Sequence, residues 1–395
     1  MKRMIWLFFL IFLVFWMTNC GKFPSGPGPD NPPDTLEIDT LSGPEYPLLA
    51  AFWQNPTFAD ISTARQFSLI ILDMENVRNN PSAVAEIKNS GTTVLAYSNP
   101  MEVFYPDMPS GRVLQQMILD YLSYSSVWWL RDVNGQSVEY WAGMRMLNLS
   151  THCPVYGEKR YLEWIADFLN DSVYRTGLVD GYLIDNCWRD ISWLNRYLGI
   201  QMDTDANGVA DNSDQLDNWW RLGIQTMLQR IRQRDPSMII VGNQGDSTYY
   251  LSVLDGKMWE NFPNDYLGGW LGSMKHCLAV ARQGKEYNII HAPTSLDEQI
   301  VRFVFCSALV CGAYFCADYN NRSLIWWPEY YDVNLGRLKG DVAEISHLFF
   351  GRNFEFGCVL VNGGDSPQTI EINNVGTVIV PAQDGVILQG GEISN

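Results

Sequence analysis

Asp180-Gly181-Tyr182-Leu183-Ile184-Asp185-Asn186 is a short apolar run closed at both ends by carboxylates. A buried parallel strand should read in this way, continuous and apolar rather than alternating, and it should end where the chain leaves the core. Seven further runs of this kind lie on either side: Leu48–Trp53, Ser68–Asp73, Thr92–Ser98, Met238–Gly242, Lys257–Trp259, Tyr287–His291 and Ala313–Ala317. Between them lie stretches of helical period such as Tyr161–Asn170 and Trp219–Arg234. In the second of these, Leu222, Ile224, Met227, Leu228 and Ile231 are spaced to form a stripe that would face a sheet. Eight strands alternating with helices predict an α/β chain closed as a (β/α)8 TIM barrel. A doubly wound open sheet is the alternative, but no glycine-rich phosphate loop follows the first strand, which runs into Gln54-Asn55-Pro56.

From Phe350 the helical period disappears. Cys358–Asn362 and Val378–Val380 read as strands between Gly, Asp and Asn turns, which predicts a small C-terminal antiparallel β-domain. The expected division is a signal peptide over 1–20, a Pro/Gly-rich linker over 21–44, the barrel over 45–345 and the β-domain over 346–395. The first segment has the basic start Lys2-Arg3 and an apolar stretch from Met4 to Met17, which is short for a membrane span and suits a signal-peptide core. Thr18-Asn19-Cys20-Gly21 is similar to a bacterial lipoprotein cleavage box, with Met17 and Asn19 departing from it. Lipidation at Cys20 is therefore expected, with soluble secretion or an uncleaved anchor as alternatives. The location implied is the bacterial cell envelope, at the outer membrane or cell surface, or outside the cell. Pro24–Asp34 cannot build a core and reads as a spacer.

Composition narrows the partners. The chain of 395 residues carries a formal net charge of −17, which repels phosphate backbones and argues against nucleic acid. That charge suits a neutral or cationic substrate, or serves solubility alone. The 15 Trp and 19 Tyr could stack on sugar rings or fill a core. The seven cysteines after Cys20 sit among apolar neighbours and read as buried free thiols, with one disulfide as the alternative. Four histidines without an HExxH or clustered spacing argue against a zinc enzyme. A monomer is expected.

In such barrels the reacting groups project from the C-terminal ends of the strands. Six of the eight predicted strands end in polar or acidic residues: Asp73-Met74-Glu75-Asn76, Ser98-Asn99, Asp185-Asn186, Asn243-Gln244, Glu260-Asn261 and Asp318-Tyr319. Any one such acid can simply cap the next helix. A ring of them fits glycosidic cleavage, where one acid protonates the leaving oxygen and a second carboxylate attacks or activates water.

The stretch 180–186 resembles the DG-x-x-x-DN fourth strand of hypothetical barrel glycosyl hydrolases, distantly like endo-α-1,4-polygalactosaminidases and α-galactosidase-type barrels. Val241-Gly242-Asn243, Met258-Trp259-Glu260-Asn261 and Phe350–Gly357 resemble motifs in corresponding places. The resemblance covers about residues 45–390 and its motifs are short. It implies a retaining enzyme with Asp185 as nucleophile and Glu260 as acid/base. Asp185 is expected to be kept ionised by Asn186 and its neighbours, and the apolar surface of Trp259 to raise the Glu260 pKa. Asp73, Glu75 and Asp318 are reserve carboxylates. Trp53, Tyr97, Asn99, Asn186, Trp188, Asn243 and Tyr319 are candidate sugar contacts, and Trp326-Trp327 a candidate exposed platform. A carbohydrate-binding surface lipoprotein without catalysis is the second reading. Glycosyltransferase-like or deacetylase chemistry lacks the nucleotide loop and metal-binding histidines it would need.

A separate motif, Asp203-Thr204-Asp205-Ala206-Asn207-Gly208-Val209-Ala210-Asp211-Asn212-Ser213-Asp214, has the EF-hand spacing. Asp203, Asp205, Asn207, Asp211 and Asp214 would supply side-chain ligands, Val209 a carbonyl, and Gly208 the sharp turn. It predicts a structural Ca2+ ion; an acidic, solvated loop is the plain alternative. No organic cofactor is implied.

Overall fold

The computed structural model describes residues 43–58, 60–295, 297–319 and 322–393. Cys20, the signal segment and most of the linker lie outside these residues. Eight parallel strands form a closed barrel in chain order: β1 (Leu49–Trp53), β2 (Leu69–Asp73), β3 (Thr93–Ser98), β4 (Gly181–Ile184), β5 (Ile239–Gly242), β6 (Gly256–Trp259), β7 (Ile289–His291) and β8 (Tyr314–Cys316). Closure is made by β1 on β8, with Leu49 opposite Phe315 and Ala50 opposite Cys316. All eight predicted strands are present; seven are trimmed by at most two residues at an end, and that predicted at Lys257–Trp259 gains Gly256.

Alternation along the strands sorts the side chains into two layers. Ala50, Phe52, Leu69, Ile71, Leu95, Leu183, Val241, Met258, Ile289 and Cys316 fill the lumen as one cluster. Their sequence neighbours, among them Ile70, Leu72, Val94, Ala96, Ile184, Ile240, Trp259, Ile290 and Phe315, face outward and pack under the helices. The lumen is therefore a packed core, not a pore. At Gly181 a Cβ would lie 1.8 Å from the carbonyl oxygen of Ile239, so only glycine fits beside β5 there.

The helix predicted over 219–234 runs from Ser213 to Arg234, with Asn212 and Gln215 forming a reciprocal N-terminal cap. Its buried stripe is Leu216, Trp220, Ile224, Met227, Leu228 and Ile231. Leu222, expected in that stripe, is 40% exposed. It is two residues from Ile224, about 200° around a helix of 3.6 residues per turn, and so faces away from the stripe.

The C-terminal sheet begins at Leu338, inside the segment assigned to the barrel from the sequence. Its antiparallel strands are β9 (Leu338–Ser346), β10 (Phe349–Phe354), β11 (Gly357–Asn362) and β14 (Asp384–Gln389), in that order. A hairpin of β12 (Gln368–Ile372) and β13 (Gly376–Val380) forms a second sheet. β11 is apolar on both faces: Cys358 and Leu360 pack on the side of Ile372 and Val380, while Val359 and Val361 join the main core. The helix Glu298–Cys311 is the seam, with Arg302 making a paired hydrogen bond to Asp384 at 2.8 and 2.6 Å. All seven described cysteines are buried and free. Among the described residues no helix is long and apolar enough to cross a membrane.

Gly181→Ala is expected to lower unfolding free energy by on the order of 3 kcal/mol, because the added methyl meets backbone rather than a movable side chain. Urea denaturation reads this directly; an unchanged midpoint would show that the barrel floor can relax.

Candidate active site

The layer rule that packs the lumen also builds the site. One step of two residues beyond the lumen cluster, each strand presents its next inward side chain at the C-terminal rim: Gln54, Asp73, Tyr97, Asp185, Asn243, Glu260, His291 and Asp318. Asp185 accepts hydrogen bonds from the Tyr97 hydroxyl at 2.7 Å, the Asn186 backbone N–H at 2.8 Å and the Asn243 amide at 2.9 Å. The same Asn243 nitrogen donates to Glu260 at 2.8 Å. Arg322, in the loop after β8, ion-pairs with the other Glu260 oxygen and hydrogen-bonds Gln54 at 3.1 Å. Asp318 receives the Arg322 backbone N–H and the Thr294 hydroxyl, each at 2.8 Å. The row Tyr97–Asp185–Asn243–Glu260–Arg322–Asp318 is thus continuously connected.

Both central acids are followed by an asparagine in the left-handed region, Asn186 at φ 54° and Asn261 at φ 55°. Asparagine tolerates this region better than most residues, and the turn reverses the chain directly after the acid. Such conformations concentrate at functional sites.

Electrostatics follow from burial. Loss of water, then the Glu260 charge, pushes the Asp185 carboxyl above its ordinary range, while the bonds from Tyr97, Asn186 and Asn243 pull it back. His291 has neither ring nitrogen hydrogen-bonded, and burial and then Arg322 lower its pKa to about 3, so it is neutral. Trp259 does not flank Glu260 as expected. Its ring lies in the outer layer, its indole N–H donating to His276 at 3.0 Å, because adjacent strand residues face opposite ways.

Several expected contacts are structural instead. Glu75 is fully buried and accepts the N–H groups of Leu114 and Gln115 at 2.7 and 2.9 Å, capping the helix Val113–Tyr124. Asp73 is ion-paired with Arg112 and accepts the Glu75 N–H. Trp53 turns outward, bonding the Thr57 carbonyl at 2.7 Å and packing on Phe58. Tyr319 is buried with its hydroxyl 3.4 Å from that of Tyr331. Trp326 is exposed, but its neighbour Trp327 packs on Phe67 and Tyr331, so only half of the expected platform is present. Asn99 donates to Glu102 at 3.2 Å, and Trp188 packs beside the β4 loop against Tyr140.

The 203–214 loop fits its expected ligand in part. Gly208 and Asn207 donate their N–H groups to Asp203 at 2.7 and 3.1 Å, and Val209 donates to Asn207 at 2.8 Å, which arranges the first three oxygen-bearing side chains on one turn. Asp211 instead accepts both the N–H and hydroxyl of Thr204 at 2.7 Å, and Asp214 is exposed in the first turn of the following helix. Among the described residues no group of three or more His, Cys, Asp or Glu side chains converges to hold a metal. The spacing in the motif is right, but the fold has turned two of its acids elsewhere.

Arg322, Arg112, His291, Gln54 and Glu102 escaped the sequence reading. Gln54 and His291 had a signal, since each lies two residues beyond a lumen residue. Arg322 and Arg112 sit in loops, where no period points to them. Glu102 lies on a short strand (Glu102–Phe104) paired with Met144–Met146. One of its oxygens is buried without a partner, and burial chiefly, with the Asp185 charge adding, pushes its carboxyl up to about 7.

A closed barrel with linked carboxylates at the C-terminal ends of β4 and β6 defines the class of barrel glycoside hydrolases. Within it the chain belongs to hypothetical glycosyl hydrolase family 15, whose sequence profile matches residues 88–358. Among solved structures, the GH36 alpha-galactosidase AgaA from Geobacillus stearothermophilus is similar at a TM-score of 0.50 and 12% identity, over 87% of this chain and 55% of that one. The glycoside hydrolase domain of PelA from Pseudomonas aeruginosa is similar at 0.47 and 12% identity, over 70% of this chain and 96% of that one. Among curated protein sequences none matches.

Glu102 yields a stability prediction. Its folded pKa of about 7 lies above its ordinary 4.5, so the fold keeps a proton that the unfolded chain releases. The contribution is complete below about 4.5 and is lost as pH rises through about 7. Glu102→Gln, neutral throughout, should therefore lose less thermal stability than wild type over that window. Parallel curves of Tm against pH would refute it.

Proposed function

We propose that this chain hydrolyses glycosidic bonds of a polysaccharide or glycoconjugate outside the cytoplasm, with Asp185 as nucleophile and Glu260 as acid/base. The observation that supports this most directly is the single Asn243 nitrogen donating to both carboxylates, at 2.9 and 2.8 Å. Two oxygens that share one donor lie within about 6 Å, which suits the roughly 5–5.5 Å carboxyl spacing of retaining enzymes better than the roughly 6.5–9.5 Å of inverting ones. In the first step an Asp185 oxygen attacks the anomeric carbon, the bond to the leaving oxygen breaks, and that oxygen takes the Glu260 proton. In the second, Glu260 takes a proton from water, whose oxygen displaces Asp185 at the same carbon. The three donors on Asp185 favour its ionised, attacking form against the cost of burial. Arg322 stabilises the carboxylate that Glu260 becomes once its proton has left.

Asp185→Asn and Glu260→Gln are each expected to cut turnover about a hundredfold or more while the fold persists. The measurement is hydrolysis across a panel of soluble starch, xyloglucan, galactomannan, xylan, polygalacturonate and glycol chitosan. Wild-type rates in both variants would end the assignment and favour a carbohydrate-binding barrel. Product NMR in the first minutes reads the anomer and hence retention.

Two further parts of the reading concern residues away from the acids. Cys20 is the proposed lipidation site that holds the protein at the cell envelope, and palmitate labelling in cells that is absent from Cys20→Ser tests it. Ca2+ is the proposed ligand of the 203–214 loop, held first by Asp203, Asp205 and Asn207, with Asp211 and Asp214 joining by side-chain rotation. Added Ca2+ should raise Tm and EDTA reverse the rise; a Tm insensitive to both would remove the ion.

A further inference from the structure

Tyr140 is the hub of an aromatic cluster beside the acids. Its ring meets Trp141 at 4.7 Å and 73°, Trp188 at 5.3 Å and 88°, Trp193 at 5.6 Å and 90°, and Tyr197 at 5.7 Å and 54°. These are edge-to-face and tilted contacts of the kind that lock rings rigidly. The inner rings are anchored by the backbone: the Trp193 indole donates to the Asp190 carbonyl at 3.0 Å, and the Trp188 carbonyl accepts the Tyr250 hydroxyl at 3.3 Å.

A cluster made only for packing would turn its outermost rings inward. Here Trp141 is 50% and Tyr197 68% exposed, while Tyr140, Trp188 and Trp193 are half-buried, so the outer rings are wet on a partly covered support. The position is equally specific. Trp188 follows Asp185 by three residues on the β4 loop, and Tyr140 feels the charge of Glu102, which in turn feels that of Asp185. The rings thus continue the acid row outward on the β3–β4 side. A sugar ring has apolar C–H faces edged by hydroxyls, and it matches a rigid aromatic face bordered by carboxylates. A single sugar residue held at the acids would leave these outer rings uncovered.

We propose that Trp141 and Tyr197, held by Tyr140, form a glycan-stacking subsite on the β3–β4 side of Asp185, so that the site takes an internal stretch of a polysaccharide chain. This rests on the reading of Asp185 and Glu260 as a hydrolytic pair. The occupant is a run of sugar residues continuous with the one being cleaved, because the platform and the acids share one rim.

The test uses the full chain carrying Asp185→Asn, run in native gels cast with each polysaccharide of the panel above. Trp141→Ala and Tyr197→Ala in that background should each weaken retardation by the polymer that the wild type hydrolyses, raising the apparent Kd about tenfold. Trp141→Phe should restore most of the affinity, since stacking needs an aromatic face; equal Kd in all variants would overturn the proposal. In the active chain the first products should be oligosaccharides, and release of monosaccharide alone would overturn it too. If the wild type hydrolyses nothing in the panel, the hydrolytic reading fails separately. The subsite is then read from the Trp141 indole N–H signal of the 15N-labelled chain titrated with the same polymers. A shift that Trp141→Ala removes supports it, and no shift with any of them overturns it.

Discussion

Barrel closure with strict in-and-out alternation is the constraint on which the molecule depends. Eight strands of three to six residues leave room in the lumen for roughly one or two side chains from each, and every such place is filled by an apolar residue until the strand ends. The next inward position on each strand is then forced to the rim, where the core stops and polar groups can reach water or one another. Asp185 is where it is because Leu183 is in the lumen; Glu260 because Met258 is; Asn243 because Val241 is. The packing that stabilises the barrel and the placement of its chemistry are one geometric fact.

That placement has an electrostatic cost. Asp73, Glu102, Asp185, Glu260 and Asp318 crowd one end of a low-dielectric barrel, and unpaired carboxylates there would be strongly disfavoured. The fold answers with two arginines at fixed positions, Arg112 on Asp73 and Arg322 between Glu260 and Asp318, and with neutral donors elsewhere. Asp185 is left to neutral donors alone, with no cation hydrogen-bonded to it. Glu102 has neither an arginine nor a full set of donors, and there the proton is retained instead. The acids of one rim are thus held in different ways, by arginine, by neutral donors or by a retained proton.

Much of this could be read from the chain. The apolar runs marked the eight strands, and the polar residues closing them marked the rim, with Tyr97, Asp185, Asn243, Glu260 and Asp318 all brought into one connected row. Errors came where a residue next to a strand end was counted without its parity. Trp53 and Trp259 sit one position from a lumen residue, and Tyr319 one position from the rim residue Asp318, so all three face the other way. Glu75 was misread for a different reason: it has the correct parity, but the incoming helix at Val113 needed its first N–H groups satisfied and took the carboxylate.

What the amino-acid order alone determined was of short period: the strands, the helices, the existence of an antiparallel segment from Phe350 onward, and the list of acids available at strand ends. Tertiary structure decided which of those acids would be paired, capped or left for chemistry, because that depends on side chains arriving from loops. Arg322 reaches Glu260 across 62 positions and Arg112 reaches Asp73 across 39. Tyr140 joins Trp188 in the same way. No local pattern encodes contacts at such separations; they exist only once closure has drawn the strand ends into one ring.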